Sequence, residues 1–166
     1  MARTKVPSEF IGNLSVGTNN VGLGNAALSN GSLSGGNNTA IGANTLEDNT
    51  SGELNVAIGS AALRNNTTAL SNTAVGLAAM ETNTTGGSNV AIGKDALKAN
   101  TTASNNTAVG YNALAANTTG TSNVAVGGDA LKTNTTGNTN TAVGRYAMEV
   151  ATGSNNVGIG YSAAGQ

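Results

Sequence analysis

Asn55-Val-Ala-Ile-Gly-Ser-Ala-Ala-Leu-Arg-Asn-Asn-Thr-Thr-Ala-Leu-Ser71 runs directly into Asn72-Thr-Ala-Val-Gly-Leu-Ala-Ala-Met-Glu-Thr-Asn-Thr-Thr-Gly-Gly-Ser88. The two stretches are equal in length and agree in their opening pentapeptide, their Ala-[Leu/Met] pair and their Asn-Thr-Thr. The pentapeptide Asn-[Val/Thr]-[Ala/Gly]-[Ile/Val/Leu]-Gly occurs nine times, closing at Gly24, Gly42, Gly59, Gly76, Gly93, Gly110, Gly127, Gly144 and Gly160. The steps between these glycines are 18, then six of 17, then 16. A period kept through six consecutive units marks a repeat architecture, and irregular terminal units fit capping.

With the leading Asn as position 1, the unit reads N-[VT]-A-[IV]-G-x-x-A-[LM]-x-x-N-T-T-x-x-x. Position 4 is aliphatic throughout, from Leu23 to Ile159, and position 9 is always Leu or Met, from Leu28 to Met148. One unit cannot bury these two side chains, whereas a stack can join them into two apolar rails and a thin continuous core. The pentapeptide alternates, with positions 2 and 4 on one face and 1, 3 and 5 on the other. This predicts a short strand, bent sharply at the glycine. Ala-Leu at 8–9 fits a second short strand or a single helical turn. Asn-Thr-Thr at 12–14 is turn chemistry, and an Asn recurring at one place in each turn can form a ladder of stacked amides. Positions 6, 7, 10 and 11 vary freely, as solvent-facing positions do. The predicted fold is all-β: a parallel β-solenoid or β-roll over residues 20–166, preceded by an N-terminal segment, 1–19.

Two coil lengths compete: one repeat unit per turn, or two. Position 2 alternates strictly between Val and Thr, from Val21 to Val157, which either length permits. Position 10 decides between them. With one unit per turn, Glu47, Arg64, Glu81 and Lys98 stack as opposite charges; with two, Arg64, Lys98 and Lys132 stack like on like, which is unfavourable. Nine strands at the ordinary spacing make a rod about 40 Å long.

Composition narrows the chemistry. Of 166 residues, 73 are Asn, Thr or Gly, aromatics are 2%, and there is no His, Cys or Trp. The usual general base, thiol nucleophile and zinc ligands are therefore missing. A net charge of −1 gives no field to draw nucleic acid or an anionic membrane. No apolar run approaches the roughly 20 residues of a spanning helix. The basic start Met-Ala-Arg-Thr-Lys-Val-Pro has no apolar h-region, so no secretory signal is expected.

The carboxylates Glu47, Asp48 and Glu53 are the one local acidic cluster, and adjacent residues on a variable surface suit a hydrolytic cleft pair poorly. Asp95 and Asp129 share position 7, but Asn112 intervenes, so the Asp in every turn of a calcium-binding β-roll is missing. The Gly-rich stretches lack the spacing of a phosphate loop. Without a signal peptide, the many Asn-x-Thr sequons read as turn residues. No catalytic residue, cofactor or metal ligand is therefore assigned. Tyr111, Tyr146 and Tyr161, at positions 6 and 7, are the candidate receptor face, since exposed aromatics beside Asn suit carbohydrate. Val6, Pro7, Phe10 and Ile11 are the candidate attachment or capping end.

The unit Asn-Val-Ala-Ile-Gly-x-x-Ala-Leu resembles the head repeats of trimeric autotransporter adhesins of the YadA type. It differs in being longer and in carrying the Asn-Thr-Thr insert. The stretch Asn106-Thr-Ala-Val-Gly-Tyr-Asn-Ala-Leu114 also looks like repeats of bacteriophage tail-fibre proteins, and Thr4-Lys-Val-Pro-Ser-Glu-Phe-Ile11 is similar to their short attachment starts. The adhesin resemblance implies a left-handed β-roll and an intertwined homotrimer. The phage resemblance implies a virion appendage that meets other virion proteins at its N-terminus and a host-surface glycan along its shaft. A protein made in the cytoplasm and released by lysis needs no export signal, which favours the phage reading over an adhesin head.

The function expected is thus a non-enzymatic structural fibre protein of a virion, contributing to host attachment through self-association, with no nucleic-acid partner and no membrane insertion. The alternative of another class is an ice-binding solenoid, from the paired ladders beginning at Thr67 and Thr68. Adjacent threonines in a strand point to opposite faces, however, whereas a flat Thr array needs Thr-x-Thr.

Overall fold

The computed structural model describes residues 19–164. Nine three-residue strands run in chain order: β1 Val21–Leu23, β2 Thr39–Ile41, β3 Val56–Ile58, β4 Thr73–Val75, β5 Val90–Ile92, β6 Thr107–Val109, β7 Val124–Val126, β8 Thr141–Val143 and β9 Val157–Ile159. They form one parallel sheet in the order β1 to β9. Among the described residues there is no helix. Thr39 pairs with Val56 and Val56 with Thr73, so each coil closes within one repeat unit and the two-unit alternative is excluded. The chain is a β-solenoid whose strands are the second to fourth residues of each unit.

Beyond the strand, Ala62 N donates to Gly59 O, Arg64 N to Ala61 O and Asn66 N to Leu63 O. These are three successive tight turns, each sharing two residues with the next. Ala61 and Leu63 occupy the third places of the first two with φ of 58° and 50°, the sign a type II turn demands there. Positions 8–9 are therefore neither strand nor helix. The same backbone still reaches its neighbours, with Leu63 N donating to Ala79 O and Ala61 N to Ala43 O. Inter-turn hydrogen bonding thus continues around the coil outside the formal strands.

Position 9 carries Leu or Met at φ between 49° and 53° in turn after turn. A left-handed conformation costs an ordinary residue roughly 1–2 kcal/mol. Full burial of a Leu side chain returns about 1.5–3 kcal/mol, and Leu46, Leu63, Leu97, Leu114 and Leu131 are wholly buried. Hydrophobic burial therefore holds a conformation that propensity alone opposes.

The expected pair of apolar rails is corrected here. Position 9 is inside, packed with the alanines of positions 3 and 8, such as Ala57 and Ala62. Position 4 is outside: Ile58 is 38% exposed, and its counterparts line the outer sheet face. Alternation placed positions 2 and 4 together, but the interior takes the other face. The reason is amide chemistry. Position 1, on the inner face, is always Asn, and from Asn38 to Asn140 this residue is buried. Asn55 N donates to Asn38 Oδ1 at 3.0 Å, and Asn55 Nδ2 donates to the Ala69 carbonyl at 2.9 Å.

Position 12 forms a second buried amide ladder. Asn66 Nδ2 donates to Asn49 Oδ1 at 2.8 Å and Asn100 Nδ2 to Asn83 Oδ1 at 2.8 Å. Both ladders meet at position 15, where Asn72 Nδ2 and Asn83 Nδ2 each lie 2.9 Å from the Gly86 carbonyl. The second ladder ends at Asn134, because the corresponding place in the next turn is Ala151. Asn134 Oδ1 is accordingly the one buried side-chain polar atom without a hydrogen-bond partner among the described residues.

Position 5 is glycine for two reasons. Gly93 has φ of 133°, and a Cβ there would stand 2.5 Å from the Gly110 carbonyl oxygen. Gly93→Ala should cost about 3 kcal/mol, seen as a lower denaturation midpoint. Ala151→Asn should raise stability by about 1 kcal/mol in the same measurement, since the new amide gives Asn134 Oδ1 its missing donor. Ala151 N already donates to Met148 O, as Asn134 N does to Leu131 O, so the backbone is in place.

Candidate functional site

Just past the bend at position 5, positions 6 and 7 stand at the rim of the sheet. Tyr111 occupies position 6 and is exposed, with Lys94 Nζ 5.6 Å from its ring centroid. Tyr146 occupies position 7 two turns later, with the Arg145 guanidinium 4.5 Å from its centroid and Arg145 Nη2 donating to Tyr146 Oη at 2.6 Å. Tyr161 packs edge-on against Tyr146 at 5.8 Å and is itself 74% exposed. The structure therefore joins Tyr146 and Tyr161 into one cluster with Arg145. Tyr111 lies apart, three turns before Tyr161, or about 14 Å along the axis. Val6, Pro7, Phe10 and Ile11 lie outside the described residues.

Ion pairs lie along the same side of the coil, before Tyr111 and between it and Tyr146. Lys98 Nζ is 3.0 Å from Asp95 Oδ1 and 3.7 Å from Glu81 Oε2, and Lys132 Nζ is 3.1 Å from Asp129 Oδ1. Asn112 Nδ2 also donates to Asp129 Oδ1, at 3.1 Å. The charge ladder expected at position 10 is present in part, as the separate pairs Arg64–Glu47 at 2.9 Å, Lys98–Glu81 and Lys132–Glu149, while Arg64 and Glu81 form no ion pair. The sequence reading missed the second partner of each lysine, the position-7 aspartate three residues earlier. The spacing of Asp95 to Lys98 and Asp129 to Lys132 carried that signal, because overlapping turns bring residues three apart together. Among the described residues, no group of three or more Asp or Glu side chains is placed to hold a metal ion.

The threonines of the Asn-Thr-Thr turns divide their roles. At position 13, Thr67 Oγ1 donates to Thr84 O at 3.1 Å and Thr84 Oγ1 to Thr101 O at 3.0 Å, so these hydroxyls bind backbone. At position 14, Thr68, Thr85, Thr102, Thr119 and Thr136 succeed one another in a single file, outside the amide-lined interior. The Asn of each sequon at position 12 is buried, which agrees with its reading as a turn residue.

These features define a parallel β-solenoid repeat protein with an amide-lined interior and an aromatic and cationic rim. Comparison with protein-family models, with curated proteins and with solved structures yields no match, so the fold and its surfaces carry the functional argument.

The Asp95 carboxylate, by hydrogen bond and charge, raises the Lys98 ammonium above its ordinary value of 10.5, with a smaller contribution from Glu81. The stability that a raised lysine pKa contributes is fully present below that ordinary value and is lost as pH climbs through the higher folded value. Thermal unfolding between neutral and strongly alkaline pH should show this loss, and Lys98→Met should reduce it. The effect is small, because Lys98 is solvent-exposed and water screens the pair.

Proposed function

We propose that the chain is a non-enzymatic structural fibre protein, the shaft of a virion appendage of the phage tail-fibre kind, which contributes to host-surface attachment. The observation that carries this reading is the outer sheet face. Leu23, Ile41, Ile58, Ile92, Val126 and Val143 stand outward in one exposed file, roughly 4.8 Å apart where the strands are adjacent. An exposed aliphatic stripe of this length marks an interaction surface on a soluble protein. The fold does not consume these side chains, because the interior is filled by Leu, Ala and Asn.

The face is about 40 Å long and, over its three-residue strands, about 10 Å wide. That supplies about half of the roughly 800 Å² per partner that stable association buries, and the flanking turns of the coil supply the rest. The occupant that fits best is a second copy of the same chain, because identical rods present matching files with the same axial repeat. Threefold order follows from the resemblance to adhesin heads, which are intertwined homotrimers. Attachment to other virion proteins belongs, on this reading, to the N-terminal segment, and the rim of tyrosines to the host surface. Position 13 hydroxyls bonded to backbone leave one free Thr file, which favours the fibre over an ice-binding face.

Light scattering and native mass spectrometry of the purified chain should give a trimer. Ile58→Glu with Ile92→Glu should give a monomer whose circular dichroism is unchanged, since both side chains already face solvent in the single chain. A monodisperse wild-type monomer would overturn the proposal.

A further inference from the structure

Leu77, Lys94, Tyr111, Gly128, Arg145 and Tyr161 succeed one another at position 6, one per turn. Gly128 is the place in this series where a side chain is missing, and the backbone does not require it. Its φ lies outside the left-handed region that the position-5 glycines occupy. A Cβ built there would meet nothing closer than Arg145 Cγ at 3.9 Å. Glycine here opens a notch between the turns that carry Tyr111 and Arg145, with Arg145 Cγ the nearest side-chain atom and the Tyr111 carbonyl oxygen at 4.0 Å.

Two turns span about 9.6 Å. A flat ring in van der Waals contact on both faces needs about 3.5–4.0 Å on each side. The notch therefore admits one ring with little to spare. Lys94 already sits over Tyr111 from the preceding turn, while the following turn offers only Gly128. On the far wall, Arg145 has no carboxylate partner among the described residues; its guanidinium lies over the Tyr146 ring and Nη2 donates to Tyr146 Oη, which leaves its other N–H groups for a ligand. By contrast Lys94, Lys98 and Lys132 are all paired with acids. A guanidinium with free donors is suited to bidentate recognition of a carboxylate.

We propose that the notch over Gly128 is a binding subsite for an acidic pyranose, a sugar ring bearing a carboxylate as in a uronic acid. The apolar C–H face of the ring lies on Tyr111, and its carboxylate meets Arg145. The half of the rod that holds the notch suits an anion: over residues 91–164, four cations (Lys94, Lys98, Lys132, Arg145) face three acids (Asp95, Asp129, Glu149). Over residues 19–90, Arg64 faces Glu47, Asp48, Glu53 and Glu81. A single shallow subsite binds weakly, and several copies in one fibre raise the avidity at a surface. The use of the site in host attachment rests on the fibre reading, while the binding itself does not.

Saturation-transfer NMR and chemical-shift titration with methyl glucuronide, and with methyl glucoside as its neutral counterpart, test this. The glucuronide should bind, and the glucoside should bind about tenfold more weakly or not detectably. Gly128→Leu, which fills the notch without backbone strain, should abolish binding while leaving the unfolding midpoint unchanged. Arg145→Gln should reduce the response to the glucuronide down to that of the glucoside. No response to either sugar, equal responses to both, or an unaltered response in Gly128→Leu would each overturn the proposal. Light scattering on the same samples keeps the two readings separate: a monomer that binds glucuronide overturns the fibre alone, and a trimer that does not overturns the subsite alone.

Discussion

A buried amide must find both a donor and an acceptor, and in this chain the partners lie in adjacent turns. That requirement sets the architecture. Asn at position 1 accepts the next turn's backbone N–H and donates to the carbonyl at position 15 of its own coil. Asn at position 12 donates to its counterpart in the turn before and to the same carbonyl. A unit one residue longer or shorter in the middle of the stack would move both amides away from that shared oxygen. The period holds constant where the two ladders run together, from Asn49 to Asn134, and slips by one at either end of the stack. Buried hydrogen-bond networks of this kind are strongly specifying when every member is satisfied.

The remaining elements follow from the amides. With Asn filling much of the cross-section, room remains for one Leu or Met per turn and for alanines. The coil must also return to its starting point within a single unit, and it does so by left-handed residues at positions 7, 9 and 17 and the glycine at 5. Position 5 alone is invariably glycine, because the next turn's carbonyl leaves no room for a Cβ. Positions 7, 9 and 17 carry side chains at the same sign of φ, and the strain is offset by burial at position 9 and by inter-turn hydrogen bonds at positions 7 and 17.

The period, the strands and the position-10 charge pairs were legible in the sequence because each depends on one residue type recurring at one spacing. The interior was harder to read. Val56 and Ile58 look like core and Asn55 like surface, and the rule that apolar residues go inside chooses the wrong face of β3. What decides it is a pairwise property: an Asn that meets another Asn every 4.8 Å or so is satisfied without water, roughly as in a stacked amide ladder. A single residue does not announce this, although nine repeats of it could have. Positions 8–9 resisted for another reason. Leu63 and Met80 at positive φ contradict the ordinary preference of bulky residues, so neither strand nor helix described them. At the rim, the packing of Tyr146 against Tyr161 could be placed only once position 7 of one turn and position 6 of the next were brought together. The Val/Thr alternation at position 2 has no explanation in the structure.

Stability and surface are thereby separated in a way that an ordinary globular domain does not allow. In such a domain the large aliphatic residues hold the fold, and exposing them unfolds it. Here Ile58 and Ile92 can be changed on the outer face without touching the amide ladders, and the ladders can be extended without changing that face. A Thr at position 4 would keep the β-branched shape that a strand favours and would make the single chain more soluble. That all nine units nevertheless carry Leu, Ile or Val there, while the rest of the coil is rich in Asn, Thr and Gly, is hard to account for by folding. The proposed contact with a second copy of this chain accounts for it, because identical strands present matching files with the same axial repeat. The physical argument for a fibre therefore rests less on what the interior contains than on what the interior leaves out.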